Sequence, residues 1–474
     1  MLFCSQTYLF FFAIVFILYW SLPWSRARIG LLLLASFTFY ASWNRWLACL
    51  VFVCTSADYF VGRGLDACRS QRLRRLLLCT SLAMNLGLLC WFKYVNFFLG
   101  SLEESLRLVG VSASFPLLSV LLPVGISFYT FEAISYIVDI YRRRMPAERR
   151  LDHFLLFITF FPHLVAGPIV RARDFLPQVR RPKRFQWTRA QIGVQLFLLG
   201  MFKKLVIADR LALVVDPVFA QPGSFSGLAV WIAVVAYAVQ IYCDFSGYTD
   251  MALGSAHLLG YKLALNFNLP YTATNVAEFW HRWHISLSTW LRDYLFIPLG
   301  GSRGTAWHTA RNLLITMTLG GLWHGAKWTF VLWGLVHGLL LIGHRVFREA
   351  CVRWPAVDGA LRSSVGTGLR VGATFLTVTL CWVLFRATSL AAALAIYGRL
   401  FHLGAGSPLP MALVAVLPLP IGLLLAGYAA RRIDLSRLFR RLPAPALGWA
   451  YGLWLTSTLL LVPGSEKLFV YFQF

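Results

Sequence analysis

Long apolar runs divided by short polar loops dominate the chain. Stretches near 6–23, 29–42, 45–62, 76–92 and 116–140 are each long enough to cross a bilayer once, allowing for tilt or trimming. They predict five membrane-spanning helices. The first run has no basic leader and is followed at once by further runs, so it is expected to remain as a span and not to be cleaved as a signal. Beyond residue 150, runs at about 191–214, 228–243, 366–385, 410–428 and 445–463 predict further spans. Two interrupted runs surround Gly320, Gly321 and Gly325, and residues 244–310 never become cleanly apolar.

Charge sets the orientation. Arg26 and Arg28 follow the first run, Arg63, Arg69, Arg72, Arg74 and Arg75 the third, and Arg142, Arg143, Arg144, Arg149 and Arg150 the fifth. These are alternate loops, so basic loops on the cytosolic side leave the N-terminus outside. The connection at 93–107, carrying Glu103 and Glu104, is then an outer one. Basic clusters bracket 153–170 on both sides, and Pro162, Gly167 and Pro168 interrupt it, so it reads as a re-entrant segment walling an internal cavity. Loop 216–227 falls outside, the arginines at 345–353 and 431–441 inside, and the tail from Gly464 outside with the N-terminus.

Of 474 residues, 58% are hydrophobic, 16% aromatic and only 13% charged, and mean hydropathy is +0.66, which excludes disorder and an ordinary soluble enzyme. The net charge of +25 would suit nucleic acid, but the basic residues punctuate apolar runs as topology requires, and no recognition motif accompanies them. Nucleic-acid binding is not expected. Nine cysteines, mostly inside apolar stretches and without CxxC spacing, imply neither a disulfide framework nor a zinc ribbon.

Candidate chemistry lies in two segments. Residues 278–295 (EFWHRWHISLSTWLRDYL) contain no proline or glycine and predict one amphipathic interfacial helix. Trp280, Trp283, Leu287, Trp290 and Leu291 share its apolar stripe, Arg282, Ser286, Thr289 and Asp293 lie opposite, and His284 sits at the stripe's edge. A Trp-rich membrane-surface anchor with spectator histidines accounts for the same pattern. The second segment, 313–340, holds Gly320-Gly321-Leu322-Trp323-His324-Gly325. Counted from Arg311, His324 would lie about 20 Å into a core about 30 Å thick, where an ionisable group needs a partner or a cavity. Packing histidine is the competing reading. Gly321 and Gly325 would let a backbone or a thin substrate approach the ring. His337 has a similar setting. A buried, neutral imidazole could accept the proton of a hydroxyl attacking a thioester, with His324 as base and His284 orienting it or stabilising the oxyanion.

HExxH and GxSxG are absent, and Ala326 stands where a phosphate-binding loop needs lysine. His281 and His284 could share a metal, but no acidic or thiol set completes a site, so no metal is expected.

These residues resemble the membrane-bound O-acyltransferase (MBOAT) family, in particular its bacterial branch typified by alginate O-acetyltransferases. The likeness runs nearly end to end. It rests on 123–131 (PVGISFYTF), Phe161-Pro162-His163, 166–169 (AGPI), Asp244-Phe245-Ser246-Gly247-Tyr248, Phe279-Trp280, 282–288 (RWHISLS), Asp293-Tyr294, Pro298, Gly300-Gly301 and 321–325 (GLWHG). His281 departs from the arginine or asparagine more usual in this branch. The resemblance implies an all-α polytopic protein of roughly 10–12 embedded helices, with re-entrant and interfacial helices around a central tunnel. A single membrane domain is expected: N-terminal spans over 1–140, a catalytic core over 141–345, and C-terminal spans with an aromatic tail over 346–474.

It further implies a catalytic His324 with His284 as second active-site position, and it makes Trp283, Trp323, Gly325, Ser286, Asp293, Tyr294 and Tyr471 tunnel candidates. The tail 469–474 (FVYFQF) is similar to an F-x-Y-x-x-F ending in related acylation systems, so Tyr471 either carries the acyl group transiently or is an interfacial anchor. The expected donor is acetyl-CoA, with no bound cofactor. Expected partners are membrane lipid, an outer-side (periplasmic or extracellular) acetyltransferase and, indirectly, a polysaccharide such as alginate, with the enzyme in the bacterial inner membrane. D-alanyl transfer from a carrier protein and a non-enzymatic polysaccharide transporter or scaffold are the rival readings.

Overall fold

A computed structural model describes residues 1–118, 122–164, 167–402, 404, 406–415, 417, 418, 421, 422 and 443–462. Tyr471 and the arginines at 431–441 lie outside the described residues. The helices in chain order are α1 (Gln6–Ser21), α2 (Ser25–Ala41), α3 (Arg45–Ala67), α4 (Gln71–Leu89), α5 (Val95–Leu108), α6 (Ile126–Tyr141), α7 (Leu151–Thr159), α8 (Phe161–Leu164), α9 (Ala172–Arg180) and α10 (Trp187–Phe202). They continue with α11 (Asp209–Ala220), α12 (Gly227–Leu258), α13 (Val276–Arg282), α14 (Ile285–Leu291), α15 (Ala306–His324), α16 (Trp328–Val352), α17 (Pro355–Arg362), α18 (Ser364–Arg386) and α19 (Leu390–Leu400), followed among the described residues by a short helix Met411–Val414 and a longer one, Ala444–Leu460. Among the described residues no strand forms beyond one isolated bridge, Phe225 to Ser407.

Five of these stretches are long and apolar enough to cross a membrane: Arg45–Ala67, Gln71–Leu108, Gly227–Leu258, Trp328–Val352 and Ser364–Arg386. The chain is a multi-pass, all-helical membrane protein. Side-chain caps start several helices. Ser5 Oγ accepts from Tyr8 N at 3.2 Å for α1, and Asn44 Oδ1 from Leu47 N at 3.1 Å for α3. On α1, Phe10, Ile14, Ile17 and Leu18 are exposed, the signature of a face turned to lipid.

Several boundaries differ from expectation, among them the run expected to end near 243, which continues as α12 to Leu258. The fourth run does not end near 92 but continues through a π-helical turn, Cys90–Tyr94, into α5, so the connection at 93–107 is helix. Polar residues alone do not stop a helix, and no proline stands between 71 and 108. The fifth span starts at Ile126 and not near 116, because Pro116 and Pro123 lack a backbone donor and Gly125 sits at φ +75° just before the first turn.

The chain divides into two compact units, Met1–Gly193 with Ala252–Leu265 and Ser286–Leu299, and Val194–Met251 with Asn266–Ile285 and Gly300–Phe474. In the first, the irregular segment after α6 folds as α7 and α8, nine and four residues long, each too short to cross a bilayer. Buried Glu132 pins it: one carboxylate oxygen accepts from Val170 N at 2.8 Å, and the other lies 3.3 Å from His163 Nε2. In the second unit, Gly200 and Gly247 bring α10 and α12 so close that a Cβ at either would overlap the other's carbonyl oxygen.

Candidate active site

The second unit builds its histidine cluster from α12, α13, α15, α16 and α18. Thr305 caps α15 by accepting from His308 N at 3.3 Å, and the helix ends on His324 because Gly325 turns extended at φ −162°. The chain returns as α16 in a tight hairpin. Gly334 and Gly338 form a GxxxG face on α16. A Cβ at Gly334 would collide with the Met317 carbonyl, and one at Gly338 would come within 3.1 Å of Leu314. Facing them, a Cβ at Gly321 would meet the Phe330 carbonyl, and one at Gly325 the Phe330 ring. The glycines expected to admit a backbone or a substrate therefore admit α16 and Phe330.

His324 is 3% exposed and His284 fully buried, and their rings lie 6.0 Å apart, centroid to centroid. Trp323, Trp333 and Phe385 surround His324 at 5.0, 5.3 and 5.3 Å. Phe245 meets His284 edge-on at 4.7 Å, and Trp323 lies 5.9 Å from it. Burial pulls the His284 imidazole well below its ordinary value, because a charged ring would lose its hydration. His337 belongs to the same cluster: its Nδ1 accepts from Trp280 Nε1 at 3.3 Å, and Trp333 meets both rings edge-on, 4.8 Å from His337 and 5.3 Å from His324.

The segment 278–295 is not one helix. α13 ends at Arg282, His284 takes the left-handed conformation at φ +41°, and α14 restarts at Ile285 before a π-helical turn, Arg292–Phe296. Two backbone bonds from a neighbouring extended segment cause the break. Asn268 N donates to Arg282 O at 2.9 Å, and Ile285 N to Asn266 O at 3.0 Å, which removes the helical partners of the turn. A non-glycine residue in this region is costly and persists only where packing fixes it, so His284 is held by its surroundings. Trp280, Trp283, Leu287, Trp290 and Leu291 are all buried as the stripe predicts. Ser286, expected on the opposite polar face, is buried too, its Oγ accepting from Ile169 N at 3.0 Å. The helical register is interrupted at His284, so one helical wheel does not run through both halves.

The remaining candidates separate. Trp283 is fully buried and packs at a tilt against Trp382, 4.8 Å between ring centroids, close to the histidines' ring cluster. Asp293 and Tyr294 instead bond within the first unit: Asp293 lies 3.5 Å from Arg171, and Tyr294 Oη donates to Asp139 at 2.8 Å. His281 is exposed and bonded to the Ala277 carbonyl at 2.7 Å, so it and His284 do not converge on a shared metal. Sequence reading missed Trp382 and Phe385, which read as ordinary apolar positions of the 366–385 span. It also passed over Lys204. Lys204 Nζ sits 2.8 Å from Asp209 and 2.6 Å from Asp244, all three buried, next to the π-helical turn Lys203–Ala208. Two consecutive lysines inside an apolar run were the available signal. Asp244, Phe245 and Gly247 thus each have a distinct task on α12: ion pair, His284 contact and helix crossing.

The profile of "MBOAT, membrane-bound O-acyltransferase family" matches residues 150–393. A protein of Azotobacter vinelandii named probable alginate O-acetylase AlgI is 40% identical over 449 residues, covering 94% of this chain and 86% of its own length. The same-named protein of Pseudomonas aeruginosa is 41% identical over 430 residues, covering 90% and 80%. Peptidoglycan O-acetyltransferase of Helicobacter pylori is 37% identical over 389 residues, covering 77% and 72%.

Proposed function

The chain belongs to the membrane-bound O-acyltransferase family, and on that premise we propose that it moves acetyl from a cytosolic thioester, acetyl-CoA, toward O-acetylation of an extracytoplasmic polysaccharide such as alginate. The supporting observation is the pairing of His324 and His284, two rings 6.0 Å apart at the end of α15. In this reading His324 Nε2 or Nδ1 takes the proton of the acceptor hydroxyl as its oxygen attacks the thioester carbonyl. The tetrahedral intermediate collapses with cleavage of the carbon–sulfur bond, and the proton passes from the imidazolium to the departing thiolate. His284 orients its partner or steadies the oxyanion. The aromatic packing must open to admit substrate, since His324 is only 3% exposed. Trp283, Trp323 and Gly325 border that entry. Ser286, Asp293 and Tyr294, in the first unit, are candidates to line the acyl group's path, and Tyr471 is the transient acceptor on the outer side.

The protein resides in the bacterial inner membrane with both termini outside, and an outer acetyltransferase takes the acetyl onward. Purified protein in nanodiscs, supplied with labelled acetyl-CoA and a soluble hydroxyl acceptor, tests this reading. Transfer from free acetyl-CoA supports it. Transfer only from an aminoacylated carrier protein, or none with either donor, contradicts it.

A further inference from the structure

A concave site in the first unit is lined by none of the residues assigned above. It has a volume of about 610 Å³ and is walled by 174–189 and 260–264. Five cations line it, Arg181, Lys183, Arg184, Arg189 and Lys262, against a single carboxylate, Asp174, which lies 3.9 Å from Arg173. Topology alone asks for basic residues in such a loop. It does not ask that they converge from two segments some eighty residues apart on one concavity.

The walls are built. Arg189 Nη1 donates to Gly260 O at 2.6 Å, and Gly260 sits at φ +84°, a turn that suits glycine. Gln178 and the Lys262 backbone exchange two hydrogen bonds, of 2.8 and 2.9 Å. Lys183 Nζ rests 4.3 Å over the Tyr261 ring, and its carbonyl accepts from Arg28 Nη1 at 2.8 Å. Burial first, and then the guanidinium groups of Arg189 and Arg181, push the Lys183 ammonium down to about 8, so its charge is held at a cost. An anion would relieve it.

The rim identifies the anion's source. Phe185 and Trp187 beside the basic wall are both exposed, and Phe185 packs edge-on against Trp20 at 5.3 Å and Phe16 at 6.4 Å, both on α1. α1 turns Ile14, Ile17 and Leu18 outward to lipid. A basic recess whose aromatic lip abuts a lipid-facing helix is placed at the headgroup level of the bilayer. We propose that this recess, formed by Arg181, Lys183, Arg184, Arg189 and Lys262, binds the phosphate headgroup of an anionic phospholipid. The same phosphate chemistry could be supplied by the nucleotide end of a CoA thioester, and the two sources are separable.

The test is native mass spectrometry of the full chain released from nanodiscs of phosphatidylglycerol or phosphatidylcholine, counting retained lipid. Wild type should retain phosphatidylglycerol preferentially. Arg181→Gln, Arg184→Gln and Lys262→Gln combined should weaken retention by roughly fivefold per cation, about a hundredfold for all three. These side chains are exposed, and an unchanged elution profile and circular dichroism spectrum confirm folding of the variant. In wild type, high salt should release the lipid and excess CoA should not. Equal retention of both lipids, unchanged retention in the folded triple variant, or displacement by CoA would overturn the proposal.

Discussion

Lys204 and His324 are both ionisable, both nearly fully buried at 1% and 3% exposure, and both in the second unit, yet their surroundings differ in kind. Lys204 sits between the carboxylates of Asp209 and Asp244, a fixed charge matched on two sides. The rings around His324 are those of Trp323, Trp333, Phe385 and His284. A matched charge cannot change protonation without breaking its partners, so it suits structure. His324 instead stands among aromatic rings beside a second imidazole, a setting that suits chemistry. The two are linked by α12, which carries Asp244 toward Lys204 and, one residue on, Phe245 onto His284 at 4.7 Å.

That contrast can be broken from either side. Lys204→Met should cost about 3–5 kcal/mol by removing the cation that two buried carboxylates share, with stability returning when Asp209→Asn and Asp244→Asn are added. Thermal or denaturant unfolding in detergent checks it, and a loss as small as that of a surface pair would remove the structural role. Gly334→Ala should destabilise by about 1–3 kcal/mol, since its Cβ meets the Met317 carbonyl with no room to shift.

The pH response sharpens the histidine side. The His284 imidazole is lowered in the folded protein, so its contribution is fully present above about pH 6.5 and is lost as pH falls, when the unfolded chain takes up the proton first. Between pH 7 and 5.5 the wild type should lose about 1.3 kcal/mol more than His284→Phe, read from paired unfolding curves. A parallel pair of curves would contradict the lowered value. Least of all, Arg345→Ala should cost under about 0.5 kcal/mol, because its pair with Glu349 at 3.2 Å is solvent-exposed on both sides.

Fold class and the helices of the first three runs were legible because long apolar runs leave few alternatives in lipid. The histidine pair was legible too, since 321–325 stands out against its apolar flanks. What escaped the sequence depends on partners far along the chain. Nothing local marks His284 as a helix break, which is imposed by Asn266 and Asn268. The run from α4 into α5 escaped because charge was read as a stop, whereas a helix stops for lack of backbone partners. Gly321 looked like an opening and is a crossing, as only the position of Gly334 reveals.

The most direct measurement uses proteoliposomes with labelled acetyl-CoA on one side and a hydroxyl acceptor sealed on the other. Wild type should label the far-side acceptor, and His324→Gln, folded to the same melting profile, should do so about a hundredfold to ten-thousandfold more slowly. Labelling by His324→Gln at the wild-type rate would contradict the account.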